Sequence, residues 1–322
     1  MRKIAVKLLR RRLLKLAAIV ITNRCNLRCI MCDTWKIHDK KDMTFSDFKR
    51  ILKKLKRSGI EKILFTGYGE PLMHKEFPHF VNYAYAQGFK LHLVTNATLI
   101  NKNMIDTLKK FERIRVSADS IKNYQKIRGK DKFRTVIKNI RLLKKNGLDV
   151  RVGALIMPSN YKEIKSIINF YKKEGVKVYV GPTISSPPIA AKELALDYKA
   201  VENAIKIIKG GISDIKIREE CVHQFKVLLN RYKNGKIRGG CIFPLAVVFI
   251  LPGGDVMSCC GTNSFFMGNI LKQSLNEIFK KNDDRIAKIL FGEDKNCNQC
   301  IAKQPISRLI LDKIRNKILG AG

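Results

Sequence analysis

The sequence has no long apolar segment and no secretory signal. No run of eighteen uncharged apolar residues occurs in its 322 residues, which argues against a membrane-spanning helix. The basic N-terminus also has no apolar segment followed by a small-residue cleavage site. We therefore expect a cytoplasmic protein, in which cysteines serve as metal ligands more often than as disulfides.

Acidic residues are scarce. There are 27 of them against 64 lysines and arginines, which gives a formal net charge of +37. Such an excess suits a nucleic acid, an anionic membrane surface or another negatively charged partner. It also suits a solvated surface, because in "KRILKKLKRSG" the charges alternate with apolar helical positions. The sequence leaves both interpretations open and sets no oligomeric state.

Short apolar segments alternate with amphipathic ones from residue 17 to residue 182. Six segments predict strands, at 17–22, 62–67, 90–96, 113–119, 150–157 and 176–182. The stretches between them have the length of helical crossovers, about 10 to 15 residues. Glycines follow four of these stretches: Gly59, Gly88, Gly147 and Gly175. Six βα units imply a parallel sheet, either open and doubly wound or a partial barrel.

Two predicted helices begin with the pattern of a capping box, in which a polar side chain and an acid three residues later cap the first turn. The pairs are Thr44 with Asp47, and Asn160 with Glu163.

The remaining segments predict four further units around this core of 17–185. Residues 186–240 predict a helical linker with helices near 197–209 and 217–233, after a turn-rich start. Residues 241–302 predict a small cysteine-rich domain with two strands around a Pro-Gly-Gly-Asp turn. Residues 303–322 predict a terminal helix. Residues 1–16 predict a basic amphipathic helix, suited either to a membrane surface or to packing across the bottom of the barrel.

Chemically active side chains follow the predicted strands. They are Cys25, Cys29 and Cys32, the segment "GYGEP", Asn96, and Ser117 with Asp119. Because the carboxyl ends of parallel strands meet at one edge of a sheet, we expect these groups to converge. Taken singly, most of them also have an ordinary explanation as a turn, cap or loop residue.

Three of the nine cysteines have the spacing C-x3-C-x2-C, with no fourth Cys or His close by. They are Cys25, Cys29 and Cys32. Soft thiolates select zinc, copper(I) or iron-sulfur clusters. A structural zinc site takes four protein ligands, whereas four irons held by three thiolates leave one iron open. The spacing therefore favours a reactive iron-sulfur site.

This spacing, with Trp35 shortly beyond it, resembles the motif of the radical S-adenosylmethionine (SAM) superfamily. The resemblance covers residues 17–302 and implies an α/β fold, a partial (β/α)6 TIM-type barrel. It implies that the three cysteines bind a 4Fe-4S cluster whose open iron takes SAM. Reductive cleavage of SAM would then give a 5′-deoxyadenosyl radical that abstracts hydrogen from a substrate C–H. A ferredoxin or flavodoxin is the kind of electron donor implied.

Further motifs extend the resemblance to SAM binding. "GYGEP" is similar to the family's Gly-Gly-Glu segment, although Tyr68 departs from it, and "IRG" at 127–129 also resembles a family segment. Asn96 matches the polar residue near the ribose, and the end of the next strand offers groups for the same hydroxyls or the carboxylate. The SAM contacts implied are Tyr68, Gly69, Glu70, Asn96, Ser117 and Asp119. We assign no catalytic acid or base.

Cys241, Cys259, Cys297 and Cys300 form a second set, spaced C-x17-C and then C-x2-C. Four thiolates alone could hold zinc or a closed 4Fe-4S cluster. With Gly254 before Cys259, the set resembles the auxiliary-cluster module of SPASM and Twitch proteins. Because no cysteine follows Cys300, the resemblance is to the shorter Twitch form with one cluster.

The resemblance implies a radical SAM oxidoreductase or maturase. Its substrate would be a peptide or protein, a sugar, a lipid or a cofactor precursor, and we prefer peptide or protein modification. The auxiliary cluster would accept an electron in a net oxidation. The alternative is a nucleic-acid or anionic-membrane binding protein whose iron-sulfur or zinc sites are structural or sensory. That alternative predicts salt-sensitive binding and no SAM cleavage.

Overall fold

The computed structural model describes residues 2–183, 194–235, 240–259 and 265–295, together with Cys297 and Cys300. Two predictions fall partly or wholly outside the described residues. They concern the turn-rich start of the linker and the helix at 303–322.

The described residues form nine strands in one sheet. They are β1 (Leu16–Ile19), β2 (Lys62–Phe65), β3 (Lys90–Thr95), β4 (Phe111–Ser117), β5 (Val150–Ile156), β6 (Lys177–Pro182), β7 (Val247–Ile250), β8 (Asp255–Met257) and β9 (Phe266–Asn269). Their order is β6-β5-β4-β3-β2-β1-β7-β8-β9. All six predicted strands are present and parallel, which confirms the α/β class.

Helices precede, connect and follow these strands. They are α1 (Arg2–Leu13), α2 (Phe45–Arg57), α3 (Phe77–Ala86), α4 (Ile105–Leu108), α5 (Tyr124–Arg128), α6 (Phe133–Lys145), α7 (Ile164–Lys173), α8 (Tyr198–Gly211), α9 (Ile215–Asn234), α10 (Phe243–Ala246) and α11 (Leu275–Leu290). Short 3₁₀ turns occur at Thr34–Lys36, Pro71–Met73, Lys102–Met104 and Tyr161–Glu163. Helix α2 begins as predicted at Thr44, whose Oγ1 accepts from the Asp47 N–H at 3.1 Å.

The sheet has a helix-covered face and an inner face. Successive strands from β1 to β6 are neighbours, so right-handed crossovers place their helices on the same side, as in a barrel. On β1, Ala17 and Ile19 pack into the helix-side core. Ala18 and Val20 point the other way and meet Phe249 of β7 in a separate cluster. We call this second side the inner face.

The predicted capping box of Asn160 and Glu163 is wrong. The Asn160 side chain accepts from the Met157 N–H and donates to the Asp119 carbonyl, at 2.8 and 2.7 Å. The Glu163 carboxylate accepts from the Ser120 hydroxyl at 2.8 Å and from backbone N–H groups beyond it. Both side chains instead join the loop after β5 to the loop after β4, because partners from another strand end compete with the local cap.

The cysteine-rich region extends the barrel sheet. The predicted pair of strands forms the antiparallel hairpin β7–β8, and β9 adds a strand that the sequence did not predict. At the hairpin turn Gly254 has φ +82°, and a Cβ there would lie 2.7 Å from Leu271 Cγ. Strand β7 pairs in parallel with β1, with Val248 opposite Ala17. One continuous ladder therefore links the two regions.

Helix α1 forms where the sequence predicted it and packs against α11 of the cysteine-rich region. Val6 and Leu9 are buried in the shared core. Arg10 Nη1 lies 2.5 Å from Asp283 Oδ1, and the Arg10 guanidinium carbon lies 4.8 Å from the centre of the Phe279 ring. Within the described part of the chain, no helix combines the length and the apolar character that crossing a bilayer needs.

Candidate active site at the cysteine loop

The loop after β1 carries Cys25, Cys29 and Cys32. Cys29 is buried and the other two are half-buried. The Cys32 N–H and the Trp35 Nε1–H both donate to the Cys29 carbonyl, at 3.2 and 3.3 Å, which curls the loop. Burial raises the pKa of Cys25 to about 11, and nearby Glu70, Cys29 and Cys32 raise it further. The three thiols therefore lie close enough to repel one another as thiolates.

A buried arginine contacts this loop. Arg128, 8% exposed, donates from Nη1 to Cys29 Sγ at 3.7 Å. Its Nη2 lies 2.6 Å from Oδ2 of the fully buried Asp119, whose Oδ1 accepts from the Leu155 N–H at 2.8 Å. Burial lowers the pKa of Arg128, but the charges of Asp119 and Cys29 outweigh it, so the pKa is raised. A permanent positive charge thus stands beside one thiol.

The segment at 127–129 docks on the cysteine loop through its backbone. The Arg28 N–H donates to the Arg128 carbonyl at 3.2 Å, and the Ile30 N–H to the Ile127 carbonyl at 3.0 Å. Gly129 ends α5 with φ +78°, and a Cβ there would lie 2.6 Å from the Arg28 carbonyl oxygen. Glycine is required here because the two segments are in backbone contact.

The "GYGEP" loop packs against the other side of the cysteine loop. Gly69 has φ +148°, and a Cβ there would lie 2.3 Å from the Thr22 carbonyl oxygen. Tyr68 is half-buried on the inner face, with its ring edge-on to Phe249 and the ring centres 5.7 Å apart. The backbone of this loop therefore lies beside the cysteines, as the sequence predicted.

Glu70 holds the ends of two strands together. Its buried carboxylate accepts from the Thr95 hydroxyl at 2.6 Å, the Asn96 N–H at 2.7 Å and the Leu72 N–H at 3.2 Å. Its own N–H donates to the Arg24 carbonyl at 2.8 Å. Burial raises the pKa of Glu70 to about 6, against the effect of these hydrogen bonds.

Asn96 and Ser117 differ in how many hydrogen bonds their side chains make within the protein. The Asn96 Nδ2 donates to Asn26 Oδ1 within the cysteine loop, at 2.8 Å, and its Oδ1 accepts from the Thr98 N–H at 2.9 Å. Ser117 is half-buried, and its hydroxyl makes no side-chain hydrogen bond within the described residues.

Apart from Gly69, whose backbone packs against the cysteine loop, the predicted SAM contacts fall into two groups. The carboxylates of Glu70 and Asp119 and the amide of Asn96 hold the loops around the cysteines, while Tyr68 and Ser117 lie on the open inner side. Their contacts with SAM stay predictions. The "IRG" pattern contains Arg128 but does not by itself identify it as a site residue, because the burial that makes this arginine unusual is a tertiary property.

The second cysteine set also converges. Burial raises the pKa of Cys297 to about 12, and the charges of Asp294, Cys241, Cys300 and Cys259 raise it further. The other three predicted ligands therefore lie within electrostatic range of Cys297. The Cys300 N–H donates to the Cys297 carbonyl at 3.2 Å, which joins the two cysteines of the C-x2-C pair.

Both sets have the donor chemistry of iron-sulfur sites. Among the described residues, no three His, Cys, Asp or Glu side chains meet as ligands of a single ion would. Cluster ligation does not need such a meeting point, because each thiolate binds a different iron. Metal binding would also remove the protons that burial favours on these thiols.

Family comparisons agree with this geometry. A family model for the radical SAM superfamily matches residues 19–171, and a model for the SPASM iron-sulfur cluster-binding domain matches residues 241–301. The chain is a radical SAM protein with a SPASM domain. Radical SAM proteins are enzymes that use a 4Fe-4S cluster and SAM, and a SPASM domain implies auxiliary iron-sulfur binding.

The relatives of this radical SAM protein carry names of several different reactions. It is 41% identical over 105 residues to an S-adenosylmethionine-dependent nucleotide dehydratase of Selenomonas ruminantium, covering 31% of this chain and 38% of the relative. It is 28% identical over 257 residues to a GTP 3′,8-cyclase of Clostridium botulinum, covering 72% and 74%. The first relative is thus matched over less than half of its length.

A solved structure shares the fold. Streptococcus suis SuiB bound to SAM superposes with a TM-score of 0.67 at 16% identity, covering 88% of this chain and 77% of SuiB. At this identity the likeness supports the partial barrel and carries no substrate with it.

Proposed function

We propose that this radical SAM protein cleaves SAM reductively and removes a hydrogen atom from a C–H bond of its substrate, as an oxidoreductase or maturase. The polar network that fixes the cysteine loop to the ends of β2, β3 and β4 carries the proposal. When bound, the 4Fe-4S cluster and SAM supply a 5′-deoxyadenosyl radical once a donor such as a ferredoxin or flavodoxin delivers an electron.

Three thiolates and one cation form the centre of this site. Cys25, Cys29 and Cys32 would hold the cluster and leave one iron without a protein ligand. Arg128 donates a charge-assisted hydrogen bond to Cys29 and so stabilises that thiolate. Asp119 holds Arg128 in place from behind.

The groups that remain available would orient SAM. The hydroxyl of Ser117 faces the inner side and is free to donate to the SAM carboxylate or ribose. The backbone of 67–69, held against the cysteine loop by Glu70, offers carbonyls to the methionine amino group. Asn96 and Glu70 then act as positioning residues, because their polar atoms are already used within the protein.

We assign Cys241, Cys259, Cys297 and Cys300 to one auxiliary 4Fe-4S cluster. Four thiolates would leave no open iron, so such a cluster supplies one-electron transfer rather than substrate ligation. An electron acceptor in the protein favours a net oxidation. The names of the two relatives, a nucleotide dehydratase and a GTP cyclase, support a nucleotide substrate, whereas SuiB, solved with the precursor peptide SuiA, shares only the fold.

The test measures SAM cleavage directly. Anaerobically reconstituted protein is reduced with dithionite in the presence of SAM, and 5′-deoxyadenosine is quantified by mass spectrometry. We expect product from the wild type and none from the variant in which Cys25, Cys29 and Cys32 are replaced by Ala. If wild-type protein with a full iron complement makes no product, the proposal fails, and salt-sensitive binding to RNA or anionic vesicles becomes the next measurement.

A further inference from the structure

The inner face of the sheet has an apolar side and a cationic side. Ala18, Val20 and Phe249 cover it on β1 and β7. On β4, Ile114 and Val116 are buried in the helix-side core, so Arg115 between them points to the inner face. Arg151 on β5 lies on the same face, since it is the register partner of Arg115.

The two arginines are neighbours without a matching pair of acids. Adjacent strands lie about 4.8 Å apart, and like charges directly opposite each other are destabilising. Arg151 has Asp149 at 2.9 Å, and the same carboxylate lies 3.5 Å from Arg113. Within the described residues, Arg115 has neither a hydrogen bond nor an ion pair. In the described part of the chain, Arg113 and Arg151 share the Asp149 carboxylate and Arg115 has no acid of its own, so the three arginines and Asp149 carry a net charge of +2.

Tyr179 on β6 completes the group. Its hydroxyl accepts from Arg151 Nη1 at 2.8 Å, which leaves the hydroxyl proton free to donate. The Arg115 guanidinium carbon lies 5.2 Å from the centre of the Tyr179 ring. Between them on β5 is Gly153, where a Cβ would lie 3.2 Å from Arg115 Cδ. Glycine therefore leaves Arg115 the space to reach Tyr179.

This group lies next to the proposed reaction site. Arg115 precedes Ser117 by two residues on one strand, a separation of about 7 Å at the rise of a β-strand. Beyond Ser117 the chain continues to Asp119, which binds Arg128 beside Cys29. A molecule that contacts Ser117 from the inner side is therefore within reach of an arginine side chain at 115.

We propose that Arg115, Arg151 and Tyr179 bind a phosphate group of a small-molecule substrate, an inference that rests on the proposed function. A phosphate monoester carries a charge of about −1.5 to −2 at neutral pH and offers three acceptor oxygens. It can balance the net charge of +2 on the three arginines and Asp149, whereas a single carboxylate of an acidic peptide would balance only half of it. The geometry thus favours a phosphorylated small molecule over the peptide substrate preferred from the sequence.

The experiment measures binding and needs no turnover. Inorganic pyrophosphate is titrated by calorimetry into anaerobic holoprotein, with the visible absorbance of the clusters recorded before and after, and glutarate is the carboxylate probe at matched ionic strength. The variants are Arg115→Gln and Arg115→Lys. Arg57→Gln is the matched control, since Arg57 is exposed on α2 and has the same charge. In parallel, phenylglyoxal modification of Arg115 and Arg57 is mapped by mass spectrometry with and without pyrophosphate.

We expect Arg115→Gln to weaken pyrophosphate binding at least about tenfold, the scale of a lost charge-assisted hydrogen bond, and Arg57→Gln to leave it within about twofold. Pyrophosphate should protect Arg115, but not Arg57, from phenylglyoxal. Equal effects at the two arginines, or no binding to the wild type, would overturn the proposal. Tighter Arg115-dependent binding of glutarate would overturn it in favour of an acidic peptide. None of these outcomes depends on 5′-deoxyadenosine release, so the proposed function fails or stands separately.

Discussion

The two cysteine sites are built in opposite ways. The first places three thiols within one loop, and residues from three other strand ends hold that loop in place. The second collects four thiols from positions 241 to 300, so its geometry depends on the β7–β8 hairpin and on the segment after α11. Arg128 lies beside Cys29, whereas Asp294 lies near Cys297. A nearby cation stabilises a more negative cluster and an anion opposes it, which suits two sites with different redox tasks.

The largest expected effect is on the iron content of variants that lack one or the other cysteine set. We expect about eight irons per wild-type chain and about four after either Cys25, Cys29 and Cys32 or Cys297 and Cys300 are replaced by Ala, because each set would hold one 4Fe-4S cluster. SAM cleavage should vanish only in the first variant. Anaerobic iron, sulfide and zinc analysis decides this. About four irons and one zinc in the wild type would show that the second site is a zinc site.

The next contrast concerns the buried ion pair of the first site. Replacing Arg128 by Met leaves Asp119 buried without its partner, so we expect the free energy of unfolding of the apoprotein to fall by about 3–5 kcal/mol. The control is Arg141→Met, which removes an exposed ion pair to Glu174 at 2.7 Å. Exposed pairs contribute at most about 1 kcal/mol. Urea denaturation at neutral pH measures the free energy of unfolding of both variants. Similar losses would mean that burial does not increase the contribution of the ion pair to stability.

A third contrast is the pH dependence of stability that buried Glu70 and exposed Glu277 each produce. Burial raises the pKa of Glu70 to about 6, so its contribution to stability is fully present below its ordinary value of 4.5 and is lost as the pH rises through 6. The stability of wild type relative to Glu70→Gln should therefore fall by about 2 kcal/mol across this range.

Glu277 provides the matched comparison in the SPASM region. Its hydrogen bonds from the Ser274 backbone and hydroxyl lower its pKa, so its contribution is present above 4.5 and lost as the pH falls. Denaturant titrations of wild type and Glu277→Gln from about pH 7 down to about pH 3, well below the ordinary value of 4.5, should show a dependence of opposite sign. A common sign for the two variants would contradict the burial argument for Glu70.

The smallest contrast compares helix caps. The Ser274 hydroxyl accepts from the Glu277 N–H at 3.2 Å in the SPASM region, and the Thr44 hydroxyl accepts from the Asp47 N–H at 3.1 Å in the barrel. Replacing either by Ala should lower stability by about 1 kcal/mol. Because one sheet joins the regions, both variants should shift a single transition, followed by circular dichroism and by fluorescence of the sole tryptophan, Trp35. A separate early transition in Ser274→Ala would show that the SPASM region unfolds alone.

Local sequence patterns predicted most of the barrel. The six strands follow from apolar alternation, and the glycines Gly59, Gly88, Gly147 and Gly175 do end their helices with positive φ. The convergence of the cysteines with the later strand ends follows from parallel topology alone. These features are determined by residues close together in the chain or by a general rule of the fold.

The features that were missed depend on distant partners. Asn160 and Glu163 fit a local cap, yet the loop after β4 offers them better-placed groups. Arg128 lies in the predicted "IRG" segment, but its place in the site depends on Asp119 and Cys29, which contact it from other parts of the chain. The parallel pairing of β7 with β1 joins residues more than two hundred positions apart, and no periodicity within either segment encodes it.

That pairing has a consequence for synthesis on the ribosome. Leu16 pairs with Val247, so one edge of β1 stays open until the chain has grown past its two-hundred-and-fiftieth residue. At about 5–20 residues per second, this wait is on the order of 10 to 50 seconds. Throughout it, an apolar strand with unpaired backbone groups is exposed to other nascent chains. The C-terminal region is thus the last segment to protect the first strand made, and truncated chains that lack it should aggregate during translation.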